Sequence, residues 1–210
     1  MAIALFGGTF NPIHFGHLTV ATELAELLQV DRIQLMPCAF PPHRGQPQVS
    51  AEQRLEMLEL AVDEQPRLVA NPIELQRDAP SYSIDTLMLL RGKIGEQQPL
   101  FFCMGMDSLV NLPTWHRWQE LLDYGHIVVA SRPGSAMPDS GPLVDWIAAY
   151  GCDDLSHMQH QPAGRVHFCG LSMLDISSTD IRHKLAQGQT IDFLTPTKVV
   201  EYIQQHHLYE

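Results

Sequence analysis

A chain of 210 residues with 45% hydrophobic side chains is long enough for one ordinary globular domain with a sizeable core, which leaves little room for a second. Its formal net charge of -11 excludes the broad basic surface that nucleic acid or an anionic membrane needs, although a phosphate compound held locally by backbone N–H groups and a few aimed cations is compatible with it. The four cysteines form no C-x-x-C pair, which points to a reducing, cytoplasmic compartment, and residues 1–8 lack a signal peptide's basic start and apolar length.

Short apolar runs alternate along the chain with segments of helical period. Residues 3–6 read as a strand and 18–28 as a helix whose inward stripe is Leu18, Ala21, Ala25 and Leu28. Residues 32–36 form a second strand, and Ser50 with Gln53 makes a capping box that opens a helix over 51–62. The alternation continues with strands at 68–70, 100–104 and 127–130, and with helices at 85–90 and 115–122. This βαβα order predicts an α/β fold, a doubly wound and mostly parallel sheet with helices on both faces. Residues 133–164 are rich in proline, glycine, serine and aspartate around a short apolar piece at 144–150, and read as a surface excursion of a single domain spanning 1–210. A last strand at 166–168 is followed by a helix from about Ser178 and a closing helix capped by Thr195, with Pro196 at its first position.

The most informative segment joins the first strand to the first helix: Gly7-Gly8-Thr9-Phe10-Asn11-Pro12-Ile13-His14-Phe15-Gly16-His17. In a doubly wound sheet this turn sits at the carboxyl edge, beside the usual ligand crevice. Its glycines let the backbone approach a phosphate, and the helix start offers free N–H groups. His14 and His17, three residues apart, can meet one ligand from the same helical face. Neither G-x-G-x-x-G nor G-x-x-x-x-G-K-[ST] occurs, which argues against hydride transfer on a dinucleotide and against a P-loop enzyme.

That segment resembles the first signature of the HIGH-type nucleotidyltransferase superfamily. The second appears late in the chain as Ile176-Ser177-Ser178-Thr179-Asp180-Ile181-Arg182. Between them, Pro41-Pro42-His43-Arg44, Pro80-Ser81-Tyr82-Ser83-Ile84-Asp85-Thr86, Gly105-Met106-Asp107 and Trp115 are similar to marks of the bacterial nicotinate mononucleotide adenylyltransferases. The resemblance implies a Rossmann-like nucleotidyltransferase fold, with ATP and nicotinic acid mononucleotide as substrates and Mg²⁺ accompanying ATP.

It also implies roles for individual residues. His14, His17, Arg44 and Arg182 would stabilise charge on the phosphates, with Gly7, Gly8, Thr9, Phe10, Ser178 and Thr179 completing the ATP site. Trp115 would stack on the pyridine ring, Asp107 would bind ribose hydroxyls, and backbone N–H groups near Ser83 would receive the nicotinate carboxylate. Arg44 replaces the family's commoner lysine, exchanging a point charge for a planar fork. Asn11 stands where many relatives have aspartate, and no metal-ligand role is assigned to it or to any other side chain. Rival readings are a transferase of the same superfamily acting on another phosphate, and a non-catalytic ATP-sensing module. His157, His160, His206 and His207 read as surface histidines, the last two at a frayed C-terminus, and Met104 and Met106 read as strand core.

Overall fold

The strands of this chain are nearly continuous apolar runs because both faces of the sheet are covered, so every side chain along them needs a buried neighbour. The computed structural model describes residues 2–39, 49–77, 81–131, 137–172 and 174–210. Six strands, β1 (Ile3–Gly8), β2 (Ile33–Pro37), β3 (Leu68–Ala70), β4 (Leu100–Gly105), β5 (His126–Ser131) and β6 (Val166–Gly170), form one sheet in the order β3-β2-β1-β4-β5-β6. All five neighbouring pairs are parallel. The winding reverses between β1 and β4, and at such a switch point the carboxyl ends of the strands open a crevice for ligands.

Alternation along the strands divides the core into two layers. Ala4, Phe6, Phe101, Cys103, Val128 and Ala130 face one layer, covered by α1 (Phe15–Leu27), α2 (Ala51–Val62), α8 (Ser178–Ala186) and α9 (Thr197–Gln205). Leu5, Phe102, Met104, Ile127 and Val129 face the other, under α3 (Ser83–Ile94), α4 (Met106–Asn111) and α5 (Leu121–Tyr124). The capping box of α2 forms as expected, Ser50 Oγ accepting from the Gln53 N–H and the Gln53 side chain accepting from the Ser50 N–H. No helix among the described residues is long and apolar enough to cross a membrane.

Four expectations are corrected. A helix over 115–122 does not form: the 3-10 turn at Leu112–Thr114 ends on Trp115, whose backbone is extended at ψ 148°, and Arg117, in the left-handed region at φ 51°, separates it from a second such turn at Trp118–Glu120. The regular helix here is α4, which begins at Met106, so that residue is not strand core. Thr195 does not cap the closing helix. Its hydroxyl is committed to the Ile13 carbonyl at 2.8 Å, and Pro196 takes the N-cap position, its carbonyl accepting from Val199 and Val200. The C-terminus is not frayed either, since Leu208 and Tyr209 are buried.

The described part of the 133–164 segment is more than a surface excursion. It carries α6 (Pro142–Tyr150), which buries Leu143 and Trp146 in the α3–α5 layer, and α7 (Leu155–Met158), whose Met158 joins the opposite layer. Amphipathic turns this short give too few periods to be told from loop by sequence pattern. Met158 has no exposed surface, so Met158→Ala should lower the unfolding free energy by about 2–5 kcal/mol. Urea titration checks this, and a loss below about 0.5 kcal/mol, the range of surface substitutions, would show that α7 does not pack on the core.

Candidate active site

The carboxyl edge of the sheet opens a cleft of about 1080 Å³, lined by the ends of β1 and β4 and by residues of α1, α3, α4 and α8. One face is made by the turn after β1. Its backbone leaves the sheet at Gly7 and Gly8 and folds the Phe10 ring back so closely that a Cβ at position 8 would lie 2.8 Å from it, so a larger residue there would have to displace the ring. Phe10 then meets His17 edge to face, and His17 stacks on His14 with ring centres 3.6 Å apart.

A turn of this kind cannot satisfy its own carbonyls, and distant side chains do it instead. Arg54 Nη1 donates to Thr9 O at 2.8 Å, Arg182 Nη1 to Asn11 O at 2.7 Å, Ser178 Oγ to Pro12 O at 2.9 Å, and Thr195 Oγ1 to Ile13 O at 2.8 Å. The Phe15 N–H closes the series on Leu194 O. With its carbonyls turned away in this manner, the turn presents ring and amide groups to the cleft.

Both histidines are neutral in the free protein. Burial lowers His14 from 6.5 to about 4, and burial together with His14 holds His17 well below its usual value. His14 is the N-cap of α1, its Nδ1 accepting from the His17 N–H, so its own proton resides on Nε2, a ready donor. Opposite lies the start of α8. Ser177 caps it through the Asp180 N–H, while the N–H groups of Ser178 and Thr179 donate to nothing among the described residues. Arg182 follows on the same helix, braced by Thr179 Oγ1 at 3.2 Å, and is the only lysine or arginine among the described residues lining the cleft. Neutral donors, open helix-start amides and one cation are groups chemically suited to receive phosphate oxygens. The Ser178 hydroxyl is used internally, on Pro12, so only its N–H remains for a ligand.

The second part of the cleft lies between α3 and α4. Tyr82 caps α3 without a side-chain hydrogen bond, which leaves the N–H groups at Ser83 open. Trp115 and Tyr82 supply aromatic surface, Trp115 edge-on to Phe102 and Tyr82 against His116 at 4.6 Å between ring centres. Asp107 lies in the first turn of α4, whose N-cap is Gly105, so it is not itself the cap. A Cβ at Gly105 would stand 2.7 Å from Asp107 Oδ1, and glycine there gives the carboxylate its room. The structure thus brings all the predicted site residues together in one cleft except Arg44, which lies outside the described residues with the rest of its proline-rich loop.

A model of the cytidylyltransferase-like family matches residues 5–184. The chain belongs to this family. It is therefore a nucleotidyltransferase, with the six-stranded parallel sheet of the Rossmann type. A protein of Pseudomonas aeruginosa named "Probable nicotinate-nucleotide adenylyltransferase" is 46% identical over 207 residues, covering 99% of this chain and 96% of its own, and a Yersinia enterocolitica protein of the same name is 45% identical over 98% and 94%. Among solved structures, the nicotinic acid mononucleotide adenylyltransferase of Plasmodium falciparum, complexed with NaAD, superposes with a TM-score of 0.72 at 17% identity over 99% and 97% of the two chains, a likeness of fold.

Sequence reasoning missed the residues that support the family's site from behind. Arg54 is fully buried and also reaches Ala39 O at 3.3 Å, joining the turn after β1 to the segment after β2. Its signal was an arginine in register with the buried stripe Met57, Leu58 and Ala61 of α2. Glu74 and Ser81 also line the cleft: Ser81 Oγ accepts from the Ala39 N–H, and Glu74 accepts from Thr86 Oγ1 while burial pushes its carboxyl above the usual range. No periodicity marks these two, which meet only through tertiary contacts.

The neutral histidines make stability depend on pH. His14 and His17, together with the wholly buried His126, whose ring bonds Gln161 O and the Arg165 N–H, all titrate below 6.5 when folded, chiefly through burial. Above pH 6.5 neither state binds protons at these rings. Below it the unfolded chain does and the folded chain does not, so stability is lost as pH falls toward the folded values, about 4 for His14. Each histidine contributes up to about 1.4 kcal/mol per pH unit in that window. Urea titrations from pH 7.5 to 4.5 should show the decline, and His14→Gln should flatten it. An unchanged slope in that variant would mean that His14 is protonated in the folded protein.

Proposed function

We propose that this chain is a nicotinate-nucleotide adenylyltransferase, which transfers AMP from ATP to nicotinic acid mononucleotide and yields deamido-NAD and pyrophosphate. The observation that carries this reading is the meeting, in one cleft, of the histidines of α1 and the open start of α8 with the aromatic surface and open N–H groups at the start of α3. The names of the relatives at 45–46% identity agree with it.

In this reading the nucleophile is the 5′-phosphate of the mononucleotide. A phosphate monoester has its second pKa near about 6 and is largely dianionic at neutral pH, so the reaction requires no general base. That fits a cleft whose histidines are held neutral by burial. The protein aligns this oxygen with the α-phosphorus, the O–P bond forms, and the bond to pyrophosphate breaks on the opposite side. His14 and His17 donate hydrogen bonds as charge grows on the α-phosphate, the Ser178 and Thr179 N–H groups hold the outer phosphates, and Arg182 and Arg44 neutralise the leaving pyrophosphate. Adenylyl transfer from ATP ordinarily proceeds with a divalent cation. The described residues contain no cluster of three or more His, Cys, Asp or Glu side chains suited to hold one, so Mg²⁺ would ride on the phosphates and water and supply further charge neutralisation. Trp115 stacks on the pyridine, Asp107 takes the ribose hydroxyls, and the α3 start receives the carboxylate. A cytoplasmic location belongs to the same reading, supported by four free cysteines.

Incubation with Mg-ATP and either nicotinic acid mononucleotide or its amide, nicotinamide mononucleotide, with chromatographic separation of products, tests the reaction. His17→Ala should lower kcat by about 10²–10³, the loss seen when one preformed transition-state donor is removed. A variant retaining half of the wild-type kcat would remove His17 from the mechanism.

Backbone N–H groups aimed at a carboxylate turn donors against the NH₂ of the amide. At about 1.5–3 kcal/mol per charge-assisted bond, two such bonds give on the order of 10²–10⁴ in kcat/KM favouring the acid. Ser83→Ala should leave that preference intact because the donors are main-chain, whereas Trp115→Ala should weaken both mononucleotides together. Equal kcat/KM for acid and amide would rule out the carboxylate site at α3.

A further inference from the structure

The last residues of the chain reach the turn that carries the histidines. After α9 the backbone turns back through two non-glycine residues in the left-handed region, His207 at φ 50° and Tyr209 at φ 68°, and this buries Leu208 and Tyr209. Left-handed backbone at such residues costs of order 1 kcal/mol each and persists only where surrounding contacts hold it. The Tyr209 hydroxyl donates to Asn11 Oδ1 at 2.6 Å, across a separation of 198 residues. Burial raises its pKa well above the usual tyrosine value, so it remains a donor at any working pH, and it lies within electrostatic reach of both Arg54 and Arg182.

Asn11 lines the cleft and is held from two directions. Its carbonyl accepts from Arg182 Nη1 at 2.7 Å, and its Oδ1 is occupied by Tyr209. The Nδ2 of the same amide donates to nothing among the described residues, so its two N–H groups are not committed to a partner there. Because the carboxamide is planar, fixing Oδ1 also fixes where Nδ2 points.

We infer that Tyr209 is a positioning residue of the ATP site: its hydroxyl locks Asn11 so that the Asn11 amide and, through the Asn11 carbonyl, the Arg182 guanidinium both face the triphosphate. This rests on the proposed function for the identity of the ligand, though not for that of the acceptor. Tyr209 touches no substrate, and its effect passes entirely through Asn11.

Tyr209→Phe removes one oxygen and keeps the ring that fills the buried site, so the variant should fold. Calorimetric titration of Mg-ATP into wild type and variant, together with steady-state kinetics in both substrates, reads the effect. Loss of one hydrogen bond worth about 0.5–1.5 kcal/mol corresponds to a rise of about 2–13-fold in Kd and KM for ATP, while KM for the mononucleotide should stay within about two-fold. Asn11→Ala should reproduce the ATP defect, and Tyr209→Phe/Asn11→Ala should be no worse than Asn11→Ala alone. An ATP Kd equal to wild type, a loss shared equally by both substrates, a lowered melting temperature without change in KM, or additive single defects would each overturn the inference. Wild-type protein that binds no ATP would instead overturn the proposed function, which keeps the two failures apart.

Discussion

Five backbone groups in the turn after β1 cannot find partners within the turn, and the rest of the site depends on how they are satisfied. Unpaired and buried, each would cost about 1–3 kcal/mol, enough together to abolish a marginal fold. Arg54 on α2, Arg182 and Ser178 on α8, Thr195, and the Leu194 carbonyl supply the partners. The histidines are aimed because these five contacts leave the turn one conformation, so binding geometry and folding energy are here the same set of bonds.

A chain with net charge -11 cannot gather a polyanion by its overall field, and the cleft shows the alternative. Its donors are neutral imidazoles, helix-start amides and a single described arginine, all held in place before any ligand arrives. Neutral donors add little repulsion among themselves when the site is empty, and they cost no reorganisation when charge develops on a phosphate. Stacked at 3.6 Å between centres, two imidazolium rings would repel strongly, which is one reason the pair stays neutral.

Much of this was legible in the sequence wherever a local pattern has a local cause. The parallel sheet followed from apolar runs alternating with helical periods, the α2 start from Ser50 and Gln53, and one face of the cleft from Gly7, Gly8, His14 and His17. Errors came where tertiary bonds overrode local chemistry. Thr195 has the side chain of a helix cap, yet its hydroxyl serves Ile13, which is distant in sequence and adjacent in space. The segment 115–122 carries apolar residues at helical spacing, but the extended Trp115 and the left-handed Arg117 keep its first half out of a helix. The roles of Arg54, Glu74 and Ser81 could not be read because their partners lie on other elements, and a buried arginine on an apolar stripe becomes informative only when a carbonyl to receive it is known.

The order in which the tethers enter the chain has a consequence during synthesis. The turn they hold is complete by residue 17, while Ser178, Arg182, Thr195 and Tyr209 leave the ribosome only after all six strands. Strands β1 to β5 can collapse as they emerge, since N-terminal units generally fold first. The turn after β1, however, must wait through most of translation with the Asn11, Pro12 and Ile13 carbonyls bonded only to water, Arg54 alone of the side-chain tethers being available early. A nascent chain can therefore gain much of its sheet before the side chains that fix the turn after β1 have been made, so a product terminated before α8 would keep strands while leaving that turn without most of its partners.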